Sequence, residues 1–76
     1  MGNIKTKLQI SNNLHVLRAE KRLTQQALAK AIGVTRLTIS SIEKGNYNPS
    51  LELAFRLSIY FNKDIKEIFT LENDNE

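Results

Sequence analysis

The chain has no cysteine, one histidine, one proline and three glycines among 76 residues. Without cysteine there is no disulfide framework and no thiolate metal site, which suits a reducing interior. His15 stands alone, with no cysteine or carboxylate set at ligand spacing around it, and reads as a surface or capping residue rather than a ligand or base. No Gly-rich phosphate loop, Cys–His pair or H-x-x-x-H spacing is present. A chain this short has no room for a substrate-sized pocket beside a core, so an enzyme is not expected, nor a cofactor or a metal. No apolar run approaches the roughly 18 residues that span a membrane, and the start has no apolar signal-peptide segment. Met1-Gly2-Asn3-Ile4-Lys5-Thr6 matches the minimal N-myristoylation pattern, but nothing else in the chain argues for a membrane. The expectation is one small cytoplasmic domain.

Hydrophobic residues make up 41%, enough for a modest core. The net charge of +3 is unevenly spread. Residues 1–49 hold eight basic groups against two acidic ones, and residues 50–76 hold three against six. A basic front and an acidic back suit a polyanion approached from one side.

The segment Thr24 to Glu43 predicts two short helices and a tight turn. Thr24 caps a helix over Gln25 to Ile32 that stops at Gly33; Thr35 caps a second that runs to about Glu43, with Gly45 beyond. Leu28, Ala29, Ile32, Val34, Ile39 and Ile42 form the inner face of two steeply crossing helices. Arg36, Leu37, Thr38, Ser40 and Ser41 are left outside. Around this pair, Asn12 or Asn13 is expected to cap a helix over about Leu14 to Arg22, with Leu14 and Leu17 on one face and Val16 and Ala19 beside it. Ser50 caps a helix over Leu51 to Phe61, with Leu53, Ala54, Leu57 and Phe61 on one face and Phe55 and Ile59 on another. Asp64 caps a last short helix over Ile65 to Phe69. Leu8 to Ile10 and Phe69 to Leu71 alternate weakly, as two short strands that could pair.

The combination Leu23-Thr24-Gln25, Ala29, Ile32-Gly33-Val34-Thr35-Arg36, Thr38-Ile39-Ser40, Ile42-Glu43-Lys44-Gly45 and Asn48-Pro49-Ser50 resembles the Cro/cI-type (Xre) helix–turn–helix transcriptional regulators over about residues 12–69. The shortest members, dimeric repressors with a small sheet at the chain ends, look most similar. The resemblance implies an all-α, five-helix, lambda-repressor-like fold, with an N-terminal extension or strand over residues 1–11 and an acidic tail over 70–76. A small two-stranded sheet would form from about 8–11 and 69–72. It implies double-stranded DNA as the partner. Arg36, Leu37 and Ser41 match base-reading positions, with Thr38 beside them at the leading end of the reading helix. Gln25 matches a phosphate-binding, helix-bracing glutamine, and Arg18 and Glu43 match a structural ion pair.

On chemistry, Arg36 can make a bidentate contact to guanine or clamp a phosphate. Leu37, where polar residues are common, meets a thymine methyl or packs on the stem of Arg36 or on loop residues. Gln25, Gln26, Thr35, Ser40, Lys44, Tyr47 and Asn48 are phosphate candidates, with loop packing the alternative for Tyr47. One such helix reads few base pairs, so a homodimer on a pseudo-palindromic operator is expected. Ile65, Ile68, Phe69 and Leu71, with Phe55 and Ile59, are candidates for the subunit contact or for the core. The leading expectation is a repressor; the alternative is an antitoxin-type DNA-binding protein that also holds a protein toxin.

Overall fold

The computed structural model describes residues 7–72. The Met1–Thr6 lipidation pattern and the end of the acidic tail lie outside the described residues. In chain order the elements are β1 (Ile10–Asn12), α1 (Leu14–Glu20), α2 (Gln25–Ile32), α3 (Arg36–Glu43), α4 (Leu51–Phe61), α5 (Ile65–Ile68) and β2 (Phe69–Leu71). This is the expected five-helix arrangement with a small antiparallel sheet.

The helix starts follow from local chemistry. The hydroxyls of Thr24, Thr35 and Ser50 each accept from the backbone N–H three residues on, satisfying a donor that the helix itself leaves over. Asp64 and Glu67 close a reciprocal capping box on α5. At α1 the work is divided: Asn13 occupies the cap position, but the side-chain oxygen of Asn12 accepts from Leu14 N–H at 3.0 Å.

The helix ends share one device. After α1, α2, α3 and α4 the chain turns through a left-handed residue, respectively Arg22, Gly33, Gly45 and Asn62. Each turn returns a backbone N–H to a carbonyl five residues back: Leu23 to Arg18, Val34 to Ala29, Asn46 to Ser41 and Lys63 to Ser58. Two of these turns use residues other than glycine. Arg22 at φ 55° therefore ends α1 at Glu20, two residues short of the expected Arg22.

The sheet also departs from expectation. β1 is Ile10–Asn12 rather than Leu8–Ile10, and it pairs in the register Ile10 with Leu71, Ser11 with Thr70 and Asn12 with Phe69. Asn12 fixes that register, because its side-chain nitrogen donates to the Ile42 carbonyl at 2.9 Å while its oxygen caps α1. Leu8 is left exposed. Phe69 belongs to β2, so α5 is one residue shorter than expected.

Leu14, Leu28, Ile39, Ile42, Leu57 and Ile68 are fully buried and draw one core from all five helices. Each such side chain contributes about 1.5–3 kcal/mol on transfer from water. Val34 and Phe69 pack against the edge of this core. Leu14 and Leu17 are buried, and Val16 and Ala19 beside that face are exposed. Ile68, expected as a candidate for the subunit contact, is only 1% exposed and belongs to the core. Phe55 and Ile59 lie outside it and are exposed. No described helix is long and apolar enough to cross a membrane.

Candidate nucleic-acid interface

α3 is an eight-residue helix, too short to hold its own shape in water. Its aim depends on what grips it. Ile39 and Ile42 anchor its inner side in the core. Glu43, at its last turn, is gripped twice by Arg18: Nε donates to Oε2 at 2.7 Å and Nη2 to Oε1 at 3.1 Å. Gln25 adds a third bond, Nε2 donating to Glu43 Oε1 at 3.0 Å. The turn at Arg22 brings the Leu23 carbonyl to Arg18 Nη1 at 2.8 Å, so the guanidinium is itself held.

Burial pushes the Glu43 carboxyl up, but the hydrogen bonds from Arg18 and Gln25, with the charges of Arg18 and His15, outweigh it and hold the carboxyl below the usual range. The hydrogen bond to Glu43 raises the Arg18 guanidinium in turn, against the opposing effect of burial.

Sequence reasoning missed two further grips. Asn12 holds the Ile42 carbonyl near the end of α3, and Arg56 Nη1 donates to the Ile32 carbonyl at the end of α2 at 3.0 Å. Arg56 is steadied by Glu52 one turn earlier on α4, at 2.7 Å. An Arg following a Glu by four residues was a visible signal for the second. Nothing local marks the first, whose partner lies 30 residues away.

The reading candidates sit at the free end of this braced helix. Arg36 and Leu37 are exposed in the first turn; Thr38 and Ser41 are half-buried behind them. Thr35 Oγ1 accepts from Thr38 N–H and lies 3.1 Å from Thr38 Oγ1, so the two hydroxyls are engaged with one another. Among the phosphate candidates, Gln26, Lys44, Tyr47 and Asn48 are exposed, Ser40 is half-buried, and Gln25 is half-buried and committed to Glu43 through one amide hydrogen. Ile65 and Phe69 are half-buried and Leu71 is exposed, well along the chain from α3. Among the described residues no His, Cys, Asp and Glu cluster is placed to hold a metal.

A short, braced, outward-facing helix behind a capped turn is the geometry of a DNA reader. The family model described as Helix-turn-helix matches residues 14–68. The chain belongs to the Cro/cI (Xre) type of helix–turn–helix regulators. It is therefore a DNA-binding transcriptional regulator and not an enzyme. An uncharacterised HTH-type transcriptional regulator of Methanocaldococcus jannaschii is 49% identical over 65 residues, covering 86% of this chain and 98% of its own length. The cryptic phage CTXphi transcriptional repressor RstR of Vibrio cholerae is 32% identical over 65 residues, covering 86% of this chain and 59% of its own. Among solved structures, the transcriptional regulator VanUg aligns with a TM-score of 0.75 at 25% identity, over 97% of this chain and 100% of that one. The helix–turn–helix match begins at Leu14 and ends at Ile68, so it takes in the five helices and leaves the strand pair outside.

Proposed function

We propose that this regulator is a sequence-specific, cytoplasmic repressor that binds a pseudo-palindromic operator as a homodimer, with α3 in the major groove. The observation that carries the reading is the bracing of α3 by Arg18, Gln25 and Asn12, with Arg36 and Leu37 projecting from its leading turn. A rod aimed this firmly suits a groove ~12 Å wide in which a small misplacement loses base contacts. Arg36 is the bidentate reader of guanine, and Leu37, Thr38 and Ser41 complete the reading set. Gln25 (through its second amide hydrogen), Gln26, Thr35, Ser40, Lys44, Tyr47 and Asn48 hold phosphates and set the register. The relative named as a phage transcriptional repressor favours steric occlusion of a promoter.

The subunit contact is assigned to Ile65, Phe69 and Leu71, with Phe55 and Ile59 as the other exposed apolar residues available to it. Selection from a random DNA pool tests the whole reading. The expected product is an inverted repeat whose half-sites lie about one helical turn, ~34 Å, apart. Binding should also lose several decades of affinity between 50 and 200 mM salt, on the order of 8–12 phosphates being neutralised. Enrichment of a lone half-site would exclude the dimer, and a flat salt response would exclude the DNA interface.

A further inference from the structure

Leu51, Phe55 and Ile59 recur every four residues along α4 and so share one face of that helix. They are 71%, 51% and 78% exposed. From Leu51 to Ile59 this apolar row runs ~12 Å. At its far end it meets an open hollow of ≈ 460 Å³ between α2 and α4, lined by Lys30, Ala31, Gly33, Arg56, Ile59 and Tyr60. The charged groups of the hollow are cationic. Lys30 is exposed and makes no hydrogen bond or ion pair among the described residues. Arg56 is bonded to the Ile32 carbonyl and to Glu52, yet its side chain remains 48% exposed. Glu52, one turn earlier on α4, is committed to Arg56.

Whatever covers this surface must be apolar along the row and anionic toward Lys30 and Arg56. An amphipathic helix with Asp or Glu beside its apolar stripe meets both demands. The row is longer than a small ligand needs. It is also too short for a permanent interface, since three side chains fall well below the ~800 Å² per partner of a standard one. A second copy of this chain would bring the same excess of cations to the surface. An acidic side chain seated on Arg56 competes with Glu52 and the Ile32 carbonyl for the guanidinium. Arg56 Nη1 lies 3.3 Å from where a Cβ on Gly33 would stand, so it covers the turn between α2 and α3. Drawing it outward loosens that turn and with it the aim of α3.

We propose that the Leu51–Phe55–Ile59 row and the hollow at Lys30 and Arg56 form the docking site for an acidic amphipathic helix of a partner protein, which lowers operator affinity when bound. The docking stands apart from the operator reading, whereas its effect rests on α3 being the major-groove helix.

The probe is a peptide selected against the full chain from a phage-displayed library of helical peptides. The expected sequences carry apolar residues at helical spacing with Asp or Glu beside them. Ile59→Glu, at an exposed side chain, should weaken peptide binding at least about tenfold by fluorescence anisotropy, with the helical circular dichroism unchanged. Lys30→Glu should weaken it about two- to fivefold, and a peptide with its acidic residue exchanged for lysine should restore it. On the operator obtained by pool selection, saturating peptide should raise Kd at least about fivefold, and operator should weaken the peptide by the same factor. Enrichment of no peptide or of basic ones, or binding that survives Ile59→Glu, overturns the site. Sedimentation of Ile59→Glu as a monomer where the parent is a dimer gives the row to a second copy and overturns it too. An unchanged operator Kd under saturating peptide overturns the effect on DNA. A DNA pool that enriches no sequence overturns the operator reading instead, because peptide binding is measured without DNA.

Discussion

Arg18→Met tests whether α3 is held from outside its own helix. The substitution keeps most of the side chain's length and removes three donors: two onto Glu43 at 2.7 and 3.1 Å and one onto the Leu23 carbonyl at 2.8 Å. The Glu43 side chain is 9% exposed, so its carboxylate would remain desolvated with Gln25 still donating to it at 3.0 Å. Breaking a fully buried pair costs about 3–5 kcal/mol. Arg18 is 20% exposed, and water can partly replace it, which brings the expected loss to about 2–4 kcal/mol. Urea unfolding at pH 7 measures this directly.

The pH dependence sharpens that test. Because the folded-state Glu43 pKa is depressed, its stabilisation is complete above the ordinary carboxylate range and is lost as pH falls through the depressed value. In Arg18→Met the strongest force for that depression is gone, while burial still pushes the carboxyl up. The gap in stability between variant and parent should therefore be widest above about pH 5 and narrow steadily below it. Arg18→Met/Glu43→Leu, which removes the stranded charge, should be more stable than Arg18→Met alone. A loss below about 0.5 kcal/mol, or a gap that widens in acid, would refute the bracing argument.

Arg36→Ala should cost about 1–3 kcal/mol of operator binding and relax the preference at one base pair per half-site, read by competition against single-base variants; an equal loss on every sequence would make it a phosphate contact. Arg22→Gly should raise stability by about 0.5–1 kcal/mol in thermal or urea unfolding, because φ 55° suits glycine better than arginine. Asn12→Ala should lower stability by about 1–2 kcal/mol, since it removes both the cap on Leu14 and a donor to Ile42. Leu71→Asp should shift sedimentation toward monomer while leaving the helical circular dichroism unchanged.

The fold was legible wherever a local rule governed it. Thr24, Thr35 and Ser50 cap where their hydroxyls precede apolar helical patterns, and Gly33 and Gly45 turn the chain where left-handed backbone is needed. Asn62 makes the same turn and α4 ends at Phe61 as expected, whereas Arg22 gives little warning of it, which is why α1 ends early. β1 was misplaced by two residues because alternation marks Leu8 and Ile10, whereas the register is decided by the contact of Asn12 with Ile42, distant in sequence. The ion pair of Arg18 and Glu43 and a bracing role for Gln25 were reached through family resemblance, whereas the contact of Arg18 with the Leu23 carbonyl emerged only in three dimensions. Ile65, Ile68, Phe69 and Leu71 looked alike in sequence; burial separates Ile68 from the others.

The grips on the motif come from three different parts of the chain. Arg18 reaches from α1 to the last turn of α3, Arg56 from α4 to the last carbonyl of α2, and Asn12 from β1 to the Ile42 carbonyl. The third has a consequence for assembly. Asn12 pairs with Phe69 in the sheet, two residues from the exposed Leu71. The strand pair proposed to carry the subunit contact is thus the same strand pair that supports the end of α3. Two copies joined at this sheet would hold their α3 helices through a short run of hydrogen-bonded backbone rather than through a flexible linker. Half-site spacing would then be a fixed property of the dimer, and an operator of the wrong spacing would have to deform the DNA to be bound.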